Sequence, residues 1–209
     1  MRISSRSVLT ATVLLTLSSC VASTKLISSW KAPDAQPLNM RGQKVAAIVV
    51  SNNQSMSRGA EVSLARAISA RGAVGVPGYG IIPQEELGDA AKVQTRLESA
   101  GIAAVVIMRP VSKEKQVNYV PGASYWGGPM YGGGFYGYYG YGYASPGYLT
   151  TDTIITVETL VYDLKPNKLV WAGMSQTFNP SHLDTFITEL AAAAAAELER
   201  QGLIRPQEK

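Results

Sequence analysis

The sequence predicts a single α/β domain whose mixed sheet has about six strands and packs against about three helices. In the first half, short apolar runs rich in Val and Ile alternate with helical periodicity over short connections, a pattern typical of parallel strands. In the second half, two alternating segments flank a proline-containing turn and predict an antiparallel hairpin. With 209 residues and a hydrophobic share of 46%, the chain is long enough for one such core with attachments.

The first half supplies a strand, a helix and a second strand. Lys44–Ser51 is an apolar run rich in Val and Ile and is predicted to be a buried strand. Ala60–Arg71 has helical spacing, and Gly72 stands where a helix would end. Ala73–Val76 then predicts a second, brief strand.

A second helix and a third buried strand follow. Asp89 is suited to cap a helix over Ala90–Ala100, and Gly101 is suited to end it. Ile102–Met108 is again a continuous apolar run and predicts a buried strand. Pro110 is expected to stop that strand because proline cannot donate to a sheet ladder.

The later strands are longer. Ser112–Val120 alternates charged and polar residues and predicts an exposed strand. Thr150–Leu164 and Leu169–Phe178 alternate about the turn Lys165–Lys168, so they predict the hairpin. Trp171 is expected to fill the space between the sheet and the last helix.

The last helix is predicted to begin near Ser181, which with Asp184 forms a shortened capping box. Its apolar residues fall on one stripe: Leu183, Phe186, Ile187, Leu190, Ala194 and Leu198. The run Ala191–Ala196 is expected to let this helix approach the sheet closely, and Gly202 is expected to end it.

The N-terminus has the features of a secretory signal peptide. Arg2 and Arg6 precede the apolar run Val8–Leu17, and small residues follow it. The run is about half the ~20 residues that a membrane-spanning helix needs. Residues 1–19 are therefore predicted to be a signal peptide rather than a transmembrane anchor.

The end of this segment, Leu17-Ser18-Ser19-Cys20, resembles the lipobox of bacterial lipoproteins. The resemblance implies that Cys20 receives a diacylglycerol group, that a peptidase cleaves before it, and that the new amine is acylated. An ordinary signal peptide followed by a chance cysteine is the alternative. Several acyl chains on one residue give stable membrane anchoring. In a Gram-negative host, Val21 in place of Asp would imply the outer membrane, with the domain facing the periplasm.

Residues 20–43 contain Pro33 and Pro37 and show no sustained periodicity, so they are predicted to be a lipidated tether. The α/β domain is then expected over residues 44–205. Loss of Arg2 and Arg6 leaves 17 basic against 15 acidic side chains. Such a balance gives no support for nucleic-acid binding, which needs clustered cations.

Residues 119–149 form an insert rich in Tyr and Gly. It holds nine of the eleven tyrosines and no charged side chain. Three interpretations are open: a low-complexity loop, a contact surface for an envelope protein or glycan, and insertion at a membrane interface. The candidate binding residues are Tyr125, Trp126, Tyr131, Phe135, Tyr136, Tyr138, Tyr139, Tyr141 and Tyr143.

No combination of residues identifies a reaction. One Cys and one His exclude a disulfide framework and a two-His metal centre, and no cofactor is expected beyond the covalent lipid. The glycines at 132–137 fit a dinucleotide-binding pattern but lack the strand and helix it requires. His182 is interpreted as a surface residue at a helix start. Glu158 and Asp163 are expected on opposite faces of one strand, which makes them a poor acid/base pair.

The hairpin residues Val157–Asp163 and Lys168–Gly173 resemble a motif of uncharacterised bacterial lipoproteins with a domain of unknown function. In those proteins a Gly/Tyr-rich loop precedes the motif. We therefore expect an outer-membrane lipoprotein with a non-catalytic role in envelope structure, assembly or interaction. A periplasmic hydrolase or ligand carrier and a glycan- or peptidoglycan-binding module are the alternatives.

Overall fold

The structure is a computed structural model, and it describes residues 24–120 and 148–205. In these residues six strands form one sheet: β1 Thr24–Lys31, β2 Lys44–Val49, β3 Val74–Pro77, β4 Ile102–Val120, β5 Tyr148–Asp163 and β6 Lys168–Phe178. The described helices are α1 Gln54–Ser69, α2 Ala90–Ser99 and α3 Leu183–Arg200. Short 3-10 turns lie at Gly78–Gly80 and Gln84–Glu86.

The sheet is mixed, as the sequence predicts. Its strand order is β1-β6-β5-β4-β2-β3. Strand β2 runs parallel to β3 and β4, whereas β4, β5, β6 and β1 are successively antiparallel. The predicted division into a parallel first half and an antiparallel second half is confirmed, and so is the count of six strands and three helices in the described part.

The first helix begins earlier than the sequence predicts, at Gln54 rather than near Ala60, because the Asn53 side chain caps it by accepting a hydrogen bond from the Met56 amide at 3.0 Å. Asp89 caps α2 through the Ala91 amide at 3.1 Å, as predicted. Three glycines follow the helices with φ of +87°, +68° and +71°, values that an L side chain rarely adopts: Gly72, Gly101 and Gly202.

Strand β1 lies within the segment that the sequence predicts to be a tether. It is the edge strand beside β6, and its pairing shifts register between Leu26 and Ser28. Thr24 is its one buried residue; the Thr24 hydroxyl lies 2.7 Å from the Thr177 hydroxyl and donates to Glu189 at 2.9 Å. Because most of β1 is exposed and its pairing is irregular, it lacks the alternation by which strands are recognised.

Pro110 does not stop the preceding strand, contrary to the sequence expectation. Strand β4 runs through Pro110 and is 19 residues long in all. Its register against β5 shifts between Pro110 and Ser112. A bulge is one of the few places in a sheet where proline is tolerated. The two strands expected on either side of Pro110 are therefore one.

The start of α3 also differs from the expectation. His182 is the exposed N-cap and makes no side-chain capping bond, so the box expected from Ser181 and Asp184 does not form. Asp184 instead accepts a hydrogen bond from Arg66 of α1 at 2.9 Å. This bond ties the two helices together at the surface.

Helices α1 and α3 pack on one face of the sheet, and α2 covers the parallel half of the other face. The first core lies between α1, α3 and the sheet around Leu64, Met108 and Leu190, and a second core surrounds Trp171. A third core lies under α2 around Leu97 and Val105. The prediction for Trp171 is confirmed, because the side chain is fully buried with Ala194 and Leu198 of α3.

Candidate functional site

The site residues proposed from the sequence lie outside the described part of the chain. Cys20 and all nine aromatic candidates between Tyr125 and Tyr143 belong to it. Their predicted roles in lipidation and contact therefore stay predictions. The outermost residues of the predicted insert belong to strands, because Tyr119 pairs with Leu149 and Val120 with Tyr148 across β4 and β5. The structure therefore fixes where residues 121–147 are attached.

The carboxylates weighed as catalysts have ordinary surroundings. Glu158 accepts two hydrogen bonds from Arg109, at 3.1 and 2.7 Å. Asp163 accepts from the Lys165 amide at 3.1 Å and lines a cavity of about 260 Å³ together with Lys165. Neither carboxylate lines the larger cavity described next.

A cavity of about 390 Å³ lies between α1, α3 and the sheet. Its floor consists of apolar residues of β2, β4 and β5: Val45, Ala104, Val106, Met108 and Val161. Its walls come from the C-terminal part of α1 and the second half of α3: Leu64, Ala67, Ile68, Ala191, Ala194, Ala195 and Leu198. The volume falls within the range of small-molecule sites, roughly 300–1,000 Å³.

Small side chains create this space. The two helices touch near Gly59, where a Cβ would lie 3.4 Å from Leu183, and through Arg66 and Asp184. Beyond that contact the facing residues of α1 and α3 are mainly alanines. The sequence predicts that the alanine run lets α3 approach the sheet closely, and Ala191 and Ala194 do belong to cores that include sheet residues. With Ala195 they also line the cavity on the side of α1.

Helix α1 is held in place from its outer side. Buried Glu61 accepts hydrogen bonds from the Val49 amide at 3.2 Å and the Tyr79 amide at 2.8 Å, which fixes α1 to the sheet. Burial raises the pKa of the Glu61 carboxyl, and these backbone donors oppose the rise. Gly75 of β3 allows close contact as well, since a Cβ there would lie 2.0 Å from the carbonyl oxygen of Ala65.

The mouth of the cavity is charged. Its lining includes Arg41, Arg71, Arg205 and Glu199, three cations against one anion. Arg41 and Arg205 are exposed, and Arg71 and Glu199 are half-buried. Arg71 donates to the carbonyl oxygen of Ala67 at 3.0 Å, so its guanidinium is held against the end of α1. The opening therefore has a formal charge of +2.

One polar group lies deep in this apolar space. Thr159 of β5 lines the cavity and is 1% exposed, and its hydroxyl oxygen has no hydrogen-bond partner among the described residues. A buried hydroxyl without a partner costs about 1–3 kcal/mol. The cavity thus has an apolar wall, a cationic mouth and a single unpartnered polar group inside.

This arrangement is suited to binding. The described residues contain no cluster of three or more His, Cys, Asp or Glu side chains placed to hold a metal ion. The lining supplies no carboxylate pair and no nucleophile beside a base. Sequence reasoning missed the cavity because its residues are ordinary core types; the one signal was a helix face of alanines where larger side chains are usual.

Comparisons with known proteins add similarities of structure. No protein-family model matches the chain, and no curated protein sequence matches it. The family resemblance of the hairpin motif therefore has no support of this kind. Two solved structures of the PelC dodecamer from Paraburkholderia phytofirmans are similar at 13% identity, with TM-scores of 0.46 and 0.47. They cover 86% and 88% of this chain and 99% of the PelC chain.

A third similar structure is the lipoprotein GNA1162 from Neisseria meningitidis, at 12% identity and a TM-score of 0.42. It covers 76% of this chain and 99% of its own. With identities and TM-scores this low, the three similarities carry no argument about function. In the described part of the chain, no helix combines the length and hydropathy needed to cross a membrane.

Proposed function

We propose that this chain is a lipid-anchored, non-catalytic binding protein of the bacterial envelope that holds a hydrophobic ligand between α1, α3 and the sheet. The observation that carries the proposal is the cavity of about 390 Å³ with its apolar floor and walls. An apolar space of this size is costly to leave empty, because its lining forgoes dispersion contacts. Occupancy by an apolar molecule removes that cost.

The position of the anchor fits this role. Strand β1 and helix α3 run side by side, since Thr24 bonds Glu189, Ser29 bonds Glu197 and Lys31 bonds the Gln201 carbonyl. Cys20 is at most ~13 Å of extended chain from Thr24. The cavity mouth lies at the other end, beyond Lys31, roughly 20 Å along the strand. A lipid on Cys20 would therefore leave the mouth facing away from the bilayer, toward the periplasm if the membrane is the outer one.

Binding is tested with N-phenyl-1-naphthylamine, an uncharged probe whose fluorescence rises in apolar surroundings. The protein should bind one molecule per chain. Ala195→Phe places a ring in the cavity and should abolish binding, whereas Ala196→Phe on the exposed side of α3 should not. Far-UV circular dichroism verifies that both variants are folded. Equal binding by the two variants, or none by the unaltered protein, contradicts the proposal.

Anchoring is tested separately. Metabolic labelling with a palmitate analogue should tag the protein, and Cys20→Ser should release it from the membrane fraction. Retention in membranes of a Cys20→Ser protein that also lacks residues 125–143 would refute lipid anchoring without affecting the cavity. Sucrose-density separation of inner and outer membranes distinguishes the two locations, of which Val21 implies the outer one.

A second candidate role concerns the aromatic insert. Val120 and Tyr148 flank residues 121–147 of the insert. They lie at the same end of the sheet as Thr24, because Thr24 pairs with Thr177, and Thr177 with Ile155. The insert and the lipid are thus attached at one end, which favours contact of the aromatic residues with the membrane interface over the other two interpretations. Deletion of residues 125–143 from the Cys20→Ser protein should then abolish its residual binding to phospholipid vesicles. Unchanged binding would leave an envelope protein or glycan as the partner, tested by crosslinking and by retention on purified sacculi.

A further inference from the structure

The charges of the cavity are confined to its mouth. Arg41, Arg71 and Arg205 lie there with Glu199, and the walls behind them are apolar apart from Thr159. A ligand with a negatively charged end would place that end among the arginines and its hydrocarbon against the alanine-lined helices. An arginine at a partly desolvated rim binds a carboxylate or phosphate through charge-assisted hydrogen bonds.

The inner polar group sets a second requirement. Asp163 ends β5 at the edge of the sheet where the mouth opens, and Thr159 precedes it on the same strand. At about 3.4 Å per residue, the Thr159 hydroxyl lies roughly 13 Å from that edge. A ligand that reaches this depth satisfies the hydroxyl if its inner end carries a hydroxyl or carbonyl.

The depth sets the length of the chain. A ligand that reaches from the arginines at the mouth to Thr159 spans roughly 13 Å, which is the length of an extended hydrocarbon chain of about twelve carbons.

We propose that the cavity binds an anionic amphiphile whose chain spans its depth with about twelve carbons, with its carboxylate or phosphate at Arg71 and Arg205 and a hydrogen-bonding group at Thr159. This inference rests on the function proposed above and adds the chemical class of the ligand. The carboxylate and phosphate forms share the same recognition chemistry. Dodecanoate and dodecyl phosphate distinguish them.

The headgroup is tested by isothermal titration calorimetry below the critical micelle concentration, with dodecanoate, dodecyl phosphate, 1-dodecanol and dodecyltrimethylammonium. At least one anion should bind about tenfold more tightly than the alcohol, as expected for hydrogen bonds to a charged group. The double variant Arg71→Gln/Arg205→Gln should lose this preference and keep its affinity for 1-dodecanol. Arg58→Gln, an exposed arginine outside the cavity lining, should behave as the unaltered protein.

The inner contact is tested with 12-hydroxydodecanoate against dodecanoate. The ratio of their affinities should shift by about tenfold toward dodecanoate in Thr159→Val, because the ligand hydroxyl then lacks its buried partner. An unchanged ratio overturns the assignment of Thr159.

The outcomes separate the two proposals. If the naphthylamine probe and 1-dodecanol bind but the anions bind no tighter, or the cation binds equally well, the ligand class is wrong and the binding function stands. If neither the probe nor any dodecyl compound binds, both proposals fail.

Discussion

The contact between Gly173 and Trp171 allows a quantitative test of how the second core is built. These residues lie two apart on the same face of β6, and the indole extends over the glycine. A Cβ on Gly173 would lie 2.2 Å from Cη2 and 2.7 Å from Cζ2 of Trp171. At such distances either the Trp171 indole or the strand backbone must move. Trp171 has no room to move, because it is fully buried against Leu198 and Ala194.

We expect Gly173→Ala to destabilise the protein by about 2–3 kcal/mol, the upper part of the usual cost of overpacking. For a domain of this size that is a fall in Tm of about 5–10 °C. The measurement is urea unfolding followed by far-UV circular dichroism, since tryptophan fluorescence would change with the local structure. Gly88→Ala is the matched control: a Cβ at Gly88 meets nothing within 4 Å, so its effect should stay within about 0.5 kcal/mol.

A double-mutant cycle identifies the cause. Trp171→Phe removes the outer edge of the indole, so Gly173→Ala in that background should cost about 1–2 kcal/mol less than in the unaltered protein. Additive effects of the two substitutions would show that the cost comes from the strand backbone rather than from the indole. That result would refute the packing explanation.

Three other expectations concern charge and close contacts. Burial raises the pKa of Glu61 above its usual 4.5, so the folded protein binds this proton more tightly than the unfolded one, and the stability of the fold decreases as the pH rises past 4.5. In Glu61→Gln the free energy of unfolding in urea, measured from pH 4 to 8, should therefore depend less on pH. An identical slope in the two proteins would exclude Glu61 as the source of the pH dependence. The hydrogen bond from Arg200 lowers the pKa of Glu197 to about 2, so the contribution of the ionised Glu197 to stability is present above pH 4.5 and is lost as the pH falls toward 2. Glu197→Gln should therefore be less stable than the unaltered protein at pH 7 but equally stable near pH 2. A difference in stability that does not change with pH would contradict this. Gly75→Ala, whose Cβ would meet the Ala65 carbonyl oxygen, should lower stability by about 3 kcal/mol, and a neutral result in thermal unfolding would show that α1 is free to move away from β3.

The sequence predicted those features that depend on local chemistry. Asp89 caps a helix because its short carboxylate reaches the free amides of the first turn, and Gly72, Gly101 and Gly202 end helices because they tolerate positive φ. The order of parallel and antiparallel strands followed from the connections between apolar runs. These signals need no knowledge of distant neighbours.

Features that depend on distant partners were missed. Strand β1 exists because β6 offers an edge, and its own residues show little alternation. Pro110 was expected to end a strand, but a bulge against β5 accommodates it. The cavity depends on where α1 and α3 meet, which is fixed by contacts such as Arg66 with Asp184, far apart in sequence. A run of alanines in the sequence is compatible both with two helices in close contact and with a space between them, so the run alone does not distinguish the two.

Strands β4 and β5 continue past the rest of the sheet. Strand β2 ends opposite Met108 and β6 ends opposite Ile154, so the pairs from Lys115 with Thr153 to Val120 with Tyr148 form a two-stranded ribbon. At about 3.4 Å per residue, the ribbon carries the two ends of the insert roughly 20 Å away from the helices. The entropy of closing a loop grows only slowly with its length. Changes in the length or composition of the insert should therefore cost the domain little, which makes this end of the protein free to diverge while the opposite end keeps its shape.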